Sequence, residues 1–213
     1  MSTSTRADNK TVGEMSKKDL LSLINQALQP VTKTLGNLKT EVEGLRKELK
    51  EKDAQIQVLS DKLDEREQYS RRNNLRIFGV KEEEGEKTDE LVKQVGAQLG
   101  LNISQFQIDR SHRVGRRGTG DKPRPILVKF YGYGPRHEMF TSKKKLKGTK
   151  LTIREDLTSQ RLDVLNKAIE AYTFRKVWTH DGTILINAGD ARPSRVKYTA
   201  DLEDIIKRFP PGN

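Results

Sequence analysis

The sequence predicts an α+β chain: a long N-terminal coiled coil, a domain of β-α-β-β-α-β order, and a small α/β C-terminal domain. Three observations predict it. Apolar residues recur every seven positions from Leu21 to Leu63. The next stretch switches between strand and helix periodicity. Beyond it, an amphipathic helix is followed by two short apolar runs joined by an Asp-Gly turn. The expected boundaries are a disordered tail at 1–14, the coil at 15–70, the second domain at 71–156 and the third at 157–213.

The tail is polar and has no period. In the coil, Leu21, Leu28, Leu35, Val42, Leu49, Ile56 and Leu63 form an a series. Ile24, Val31, Leu38, Leu45 and Leu59 form a d series, broken only by Lys52 and Arg66. A seam of this length needs a partner helix, so the seam from Leu28 to Leu63 is the predicted oligomerisation surface. The alternative is one helix folded back on its own domain. In a parallel arrangement Glu41–Arg46 and Lys62–Glu67 attract while Glu48–Asp53 repels, a balance that mildly favours parallel packing. Leucine at most a positions leaves dimer against trimer open. Pro30 predicts a kink or break near Gln29.

Asn73 and Asn74 are read as helix-stopping residues after Tyr69. Leu75–Val80 reads as a strand, and Lys81–Lys87 as an acidic loop. Thr88–Leu99 reads as a helix, with Thr88 as N-cap and Gly100 as stop. Ile108–Val114 is a strand, Gly115–Arg124 a Gly- and Arg-rich loop, Pro125–Tyr131 a strand, Pro135–Leu146 a basic helix and Leu151–Arg154 a strand. That order is the ferredoxin-like, RRM-type split βαβ. Thr158–Tyr172 follows as a helix, Lys176–Thr179 and Thr183–Asn187 as a hairpin, and Asp201–Phe209 as a last helix.

The 213 residues carry 41 Lys+Arg against 30 Asp+Glu, a net charge of +11, and no cysteine. Without cysteine there is no disulfide framework, thiol nucleophile or Cys-based zinc site. No apolar run is long enough to span a membrane. Met1–Glu14 has no apolar core of a secretory signal, so an intracellular protein is expected. The charge is concentrated: Gln107–Arg154 holds 14 Lys+Arg and three acids, so this window alone carries +11. An anionic polymer is the expected partner.

The successive motifs SRRNNLRIFGV, IDRSHRVGR, KPRPILVKF, KKKLKG and LTIREDLT, set behind a coiled coil, resemble the first-open-reading-frame protein of LINE-type retrotransposons. A weaker similarity is to the baculovirus few-polyhedra protein. The LINE resemblance implies a parallel homotrimer that coats the element's RNA, acts as a nucleic-acid chaperone, and holds single-stranded RNA, and DNA, with its two globular domains together. It implies a cytoplasmic ribonucleoprotein, with nuclear entry left open. It also implies RNA-contact roles for Arg71, Arg72, Arg76, Arg110, Arg113, Arg116 and Arg117. The family's paired arginines on the C-terminal helix are replaced here by Leu165 and Asn166.

The residues add their own candidates. Alternation puts Arg76 and Phe78 on the open face of the first strand, and Lys129 and Tyr131 on that of the third. Cations hold phosphates, and rings stack bases. The loop cations Arg113, Arg116, Arg117, Lys122 and Arg124 sit among glycines that keep the loop adaptable. Lys143, Lys144 and Lys145 crowd a helix end. Trp178 and Tyr172 are expected in the core. Arg192 and Arg195 either extend the basic path or belong to an ordinary surface loop. The histidines have no metal-type spacing and no nucleophile motif occurs, so no metal, cofactor or catalysis is expected. The rival reading is a non-catalytic coiled-coil adaptor that binds proteins.

Overall fold

The structure is a computed structural model. It describes residues 16–116, 122–189 and 192–211; the predicted tail at 1–14 lies outside them. The chain is mixed α/β, with a long N-terminal helix and antiparallel sheets. Its contacts divide it into two units, Met1–Leu59 and Ser60–Asn213.

The first unit is helix α1, Lys17–Ser70, up to Leu59. Its heptad residues from Leu21 to Leu59 are all exposed. Of the kink or break expected near Gln29, the break is absent. Proline removes one intrahelical donor, yet the helix runs through it, and Thr34 Oγ1 donates to Pro30 O at 2.9 Å. No helix among the described residues is long and apolar enough to cross a membrane.

The second unit begins with the last turns of α1. Strand β1 (Asn74–Phe78) follows, then α2 (Thr88–Gln98), β2 (Ile108–Arg113), β3 (Ile126–Phe130), α3 (Tyr133–Ser142) and β4 (Thr152–Glu155). The strands form one antiparallel sheet of order β2-β3-β1-β4. Alternation decides its faces. Leu75, Ile77, Ile126, Val128, Phe130 and Ile153 point inward and pack with Val92, Val95 and Leu99 of α2 and with Met139 and Phe140 of α3. Both helices therefore cover the same face, and the other stays open. Gly79 closes β1 at φ 86°, where a Cβ would lie 2.0 Å from Lys150 O; only glycine fits that approach.

Helix α4 (Ser159–Tyr172) then leads to β5 (Val177–His180), β6 (Thr183–Ile186), β7 (Ser194–Val196) and α5 (Thr199–Arg208). The three strands form a second antiparallel sheet. Val177, Ile184, Ile186 and Val196 pack with Val164, Ala168 and Tyr172 of α4 and Leu202 and Ile205 of α5. The Asp181-Gly182 turn has positive φ at both residues, 47° and 73°, as a two-residue hairpin demands.

Some local expectations shift. Thr88 does not cap α2: it is the first helical residue, after an N-cap at Lys87, and its hydroxyl donates to Ser111 O at 2.9 Å. Thr158 does cap α4, accepting from Arg161 N–H. β7 falls in a stretch whose sequence carries no strand pattern, because three residues behind a proline are too few to show one. β3 ends at Phe130, so Tyr131 lies just past the sheet, exposed.

Candidate nucleic-acid interface

The open face of the four-stranded sheet is built by alternation and register. Arg110, Lys129 and Asn74 form one cross-strand row. His112, Leu127, Arg76 and Arg154 form the next. Four cations therefore share the face, where like charges opposite each other repel. Asp156 Oδ1 holds Arg76 Nε at 2.6 Å, and Asp109 holds Lys129 at 3.2 Å. Arg154 has no ion pair among the described residues; its guanidinium lies 5.3 Å from the Phe78 ring centre. Arg110 is exposed. Phe78 is on this face as expected and half-buried. Tyr131 is not; Leu127 takes the second β3 position there.

The basic loop changes most. Arg113 was expected to face phosphate, but its side chain is 5 % exposed and fully used. It donates to both Glu86 oxygens and to the carbonyls of Val80, Lys81 and Arg124. Arg124 is gripped by Glu82 at 2.5 Å. That hydrogen-bonded guanidinium lowers the Glu82 carboxyl from 4.5 to about 2. Arg113 lowers that of Glu86 in the same way. The acidic loop between β1 and α2 thus neutralises two of the five loop cations and fastens the loop's two ends. Arg116 and Lys122 stay exposed, and Arg117 lies outside the described residues.

The other candidates divide. Arg71 is shared between Glu67 at 2.6 Å and Asp156 at 3.0 Å, so it fastens the end of α1. Arg72 is exposed and lies 4.0 Å over the Tyr69 ring. Lys143 sits 3.5 Å over the Phe140 ring, and burial there lowers its pKa. Lys145 donates to Leu99 O at 2.7 Å, while Lys144 is exposed.

Beside the sheet's β4 edge opens a groove of about 760 Å³. Lys143, Lys144 and Arg154 line it from the sheet's domain; Leu165, Phe174 and Trp178 line it from the C-terminal domain. Tyr172 is in the core as expected, its hydroxyl donating to Phe209 O. Trp178 is not: it is 41 % exposed, and Phe174 is 71 % exposed. Inward Val177 and Ile153 turn the next residues, Trp178 and Arg154, outward. That alternation was present in the sequence and would have identified both.

A buried polar seam fixes the groove's walls. Arg136 of α3, 2 % exposed, bonds Glu155 at the end of β4 and reaches Asp181 of the hairpin turn at 3.2 Å. Glu155 also accepts from Gly182 N–H at 3.3 Å. Arg161 of α4 donates to Gly182 O at 2.8 Å and pairs with Asp64 of α1 at 2.7 Å. Gln68 donates to Asp156 O at 3.1 Å and accepts from Thr158 N–H at 3.0 Å. A Cβ on Gly182 would meet Gln68 at 2.7 Å. One network therefore ties the end of α1, both sheets, α3 and α4; Arg136 Nε is a buried atom in it with no partner among the described residues, and removing one member of such a network leaves further buried groups unpaired.

Chemically, the surface offers exposed guanidinium and ammonium groups for phosphate and exposed rings for planar bases. No group of three or more metal-ligating side chains occurs among the described residues. Compared with models of known protein families and with curated proteins, the chain matches none.

Proposed function

We propose that this chain binds single-stranded RNA, and DNA by the same chemistry, in the groove beside β4, and that α1 multiplies the site by parallel self-association. One observation carries the reading: Arg154 and Lys144, which have no ion pair among the described residues, line one groove together with the exposed rings of Trp178 and Phe174. Charge with stacking is what a sequence-tolerant single-strand site requires. The order β2-β3-β1-β4 with both helices on one face is the connectivity of the ferredoxin-like, RRM-type fold, which supports the reading. So does the resemblance of the junction and strand motifs to LINE first-open-reading-frame proteins. On this reading the chain is an RNA-coating chaperone of a ribonucleoprotein particle.

The exposed seam of α1 supports self-association as a coiled coil, because apolar a/d rows in water are unstable without a partner. Each protomer then contributes one groove of modest affinity, and linkage supplies avidity. Fluorescence anisotropy with labelled oligouridylate tests the binding. Affinity should fall with log salt at a slope of about −0.7 per phosphate neutralised, and Trp178→Ala should weaken it. No binding at low salt, or binding that ignores salt, refutes the proposal and favours a protein-binding adaptor. Sedimentation equilibrium tests the coil: Leu35→Asp with Leu49→Asp should reduce the oligomer to a monomer.

A further inference from the structure

We propose that the open face of the three-stranded sheet leads the bound strand out of the groove into a second hollow, which holds one further nucleotide against Tyr133 and Arg195. This rests on the single-strand reading above and extends its footprint. The register carries it: Trp178, Leu185 and Arg195 lie in one row across β5, β6 and β7. Trp178 lines the groove, and Arg195 lines a separate hollow of about 470 Å³. Two strand spacings separate them, ~10 Å, and half-buried Leu185 bridges the gap with an apolar step.

The chemistry of the hollow fits a nucleotide. Tyr133 and Tyr69 present rings that are 42 % and 66 % exposed. Two acids line it, and both are already engaged: Glu65 with Lys197 at 2.7 Å, and Asp181 with the Tyr133 hydroxyl at 2.9 Å and with Arg136. Lys197 and Arg161 are likewise spent on carboxylates. Arg195 has no ion pair among the described residues, and Arg72 bonds only the Tyr69 carbonyl, at 2.9 Å, and that residue's ring. Arg195 therefore remains for a phosphate, and exposed Tyr133, whose ring already stacks on His137 with centres 5.3 Å apart, offers an edge of that stack to a base. Asp181 and Thr183 of the hairpin line the hollow while Trp178 and Thr179 line the groove, and the Trp178–Arg195 row runs from one to the other.

The test is the length dependence of binding by the full chain, read by anisotropy with oligouridylates of about 4 to 16 nucleotides, the range of single-strand sites. Arg195→Ala and Tyr133→Leu should each weaken the longer oligomers roughly tenfold, the scale of one lost stacking or phosphate contact, and leave the shortest unchanged. Trp178→Ala should weaken every length. Unchanged melting temperatures establish that the variants fold; Arg195, on an exposed edge-strand position, supplies the decisive arm if Tyr133→Leu does not. Equal loss at all lengths, or no loss at any, overturns the second hollow while leaving the groove intact. Failure of the unaltered chain to bind any length overturns the single-strand reading itself.

Discussion

Arg154 and Arg76 stand directly opposite each other on neighbouring strands, and among the described residues only Arg76 has a carboxylate to answer it. Directly opposed like charges cost stability, and the Phe78 ring, 5.3 Å from the Arg154 guanidinium, is the contact that offsets it. Arg154→Ala should therefore leave stability within ~0.5 kcal/mol or raise it. It should also weaken RNA binding and make the salt slope shallower by about 0.7. Parallel thermal melts and salt titrations read both effects.

Arg113 and Arg116 are three residues apart and should behave oppositely. Removing Arg113 strands the Glu86 carboxylate and three carbonyls, so Arg113→Ala should cost about 3 kcal/mol, visible in urea unfolding. Arg116→Ala should stay within ~0.5 kcal/mol. Equal stabilities would mean that the internal bonds of Arg113 contribute nothing.

Glu82 should titrate at about 2, against 4.5 for an ordinary glutamate, because Arg124 donates to its carboxylate. A carboxyl depressed by folding contributes stability that is fully present above the ordinary value and is lost as pH falls through the depressed one. The clasp of the β2–β3 loop should thus persist at pH 4 and open near pH 2. A carbon-detected NMR titration of the Glu82 carboxyl measures the midpoint directly; a value near 4.5 would show no clasp in solution.

Asp64 and Arg161 form a buried pair, 3 % and 4 % exposed. Asp64→Ala leaves a buried guanidinium uncompensated and should cost about 3–5 kcal/mol, whereas Asp64→Leu with Arg161→Met should recover most of that. Denaturant melts of the two variants make the comparison.

Periodic features were legible in the sequence. Heptads revealed the long helix, and strict alternation in Leu75–Phe78 and Ile126–Phe130 revealed both faces of the first sheet. What escaped were pairings over long separations. Asp64 and Gln68 sit on the polar side of a heptad helix, where such residues normally meet water, and their partners Thr158 and Arg161 lie some 90 positions on. Counting charge along the chain located the basic window, but its loop meets Glu82 and Glu86 from an earlier segment, so sequence proximity overstated its free charge. Arg154 and Trp178 were within reach of the alternation rule, whereas β7 was too short to carry a pattern.

Gln68 offers one N–H donor and one C=O acceptor to the backbone at Asp156 and Thr158, the same pair of groups a peptide unit of a neighbouring strand would offer. The three-residue joint between β4 and α4 is thereby stitched to a side chain from before the first strand, and all of it is buried. A joint held in this way does not act as a hinge. The groove beside β4 therefore has walls whose spacing is set when the protein folds, and the proposed ligand would have to fit that spacing rather than draw the walls in around itself.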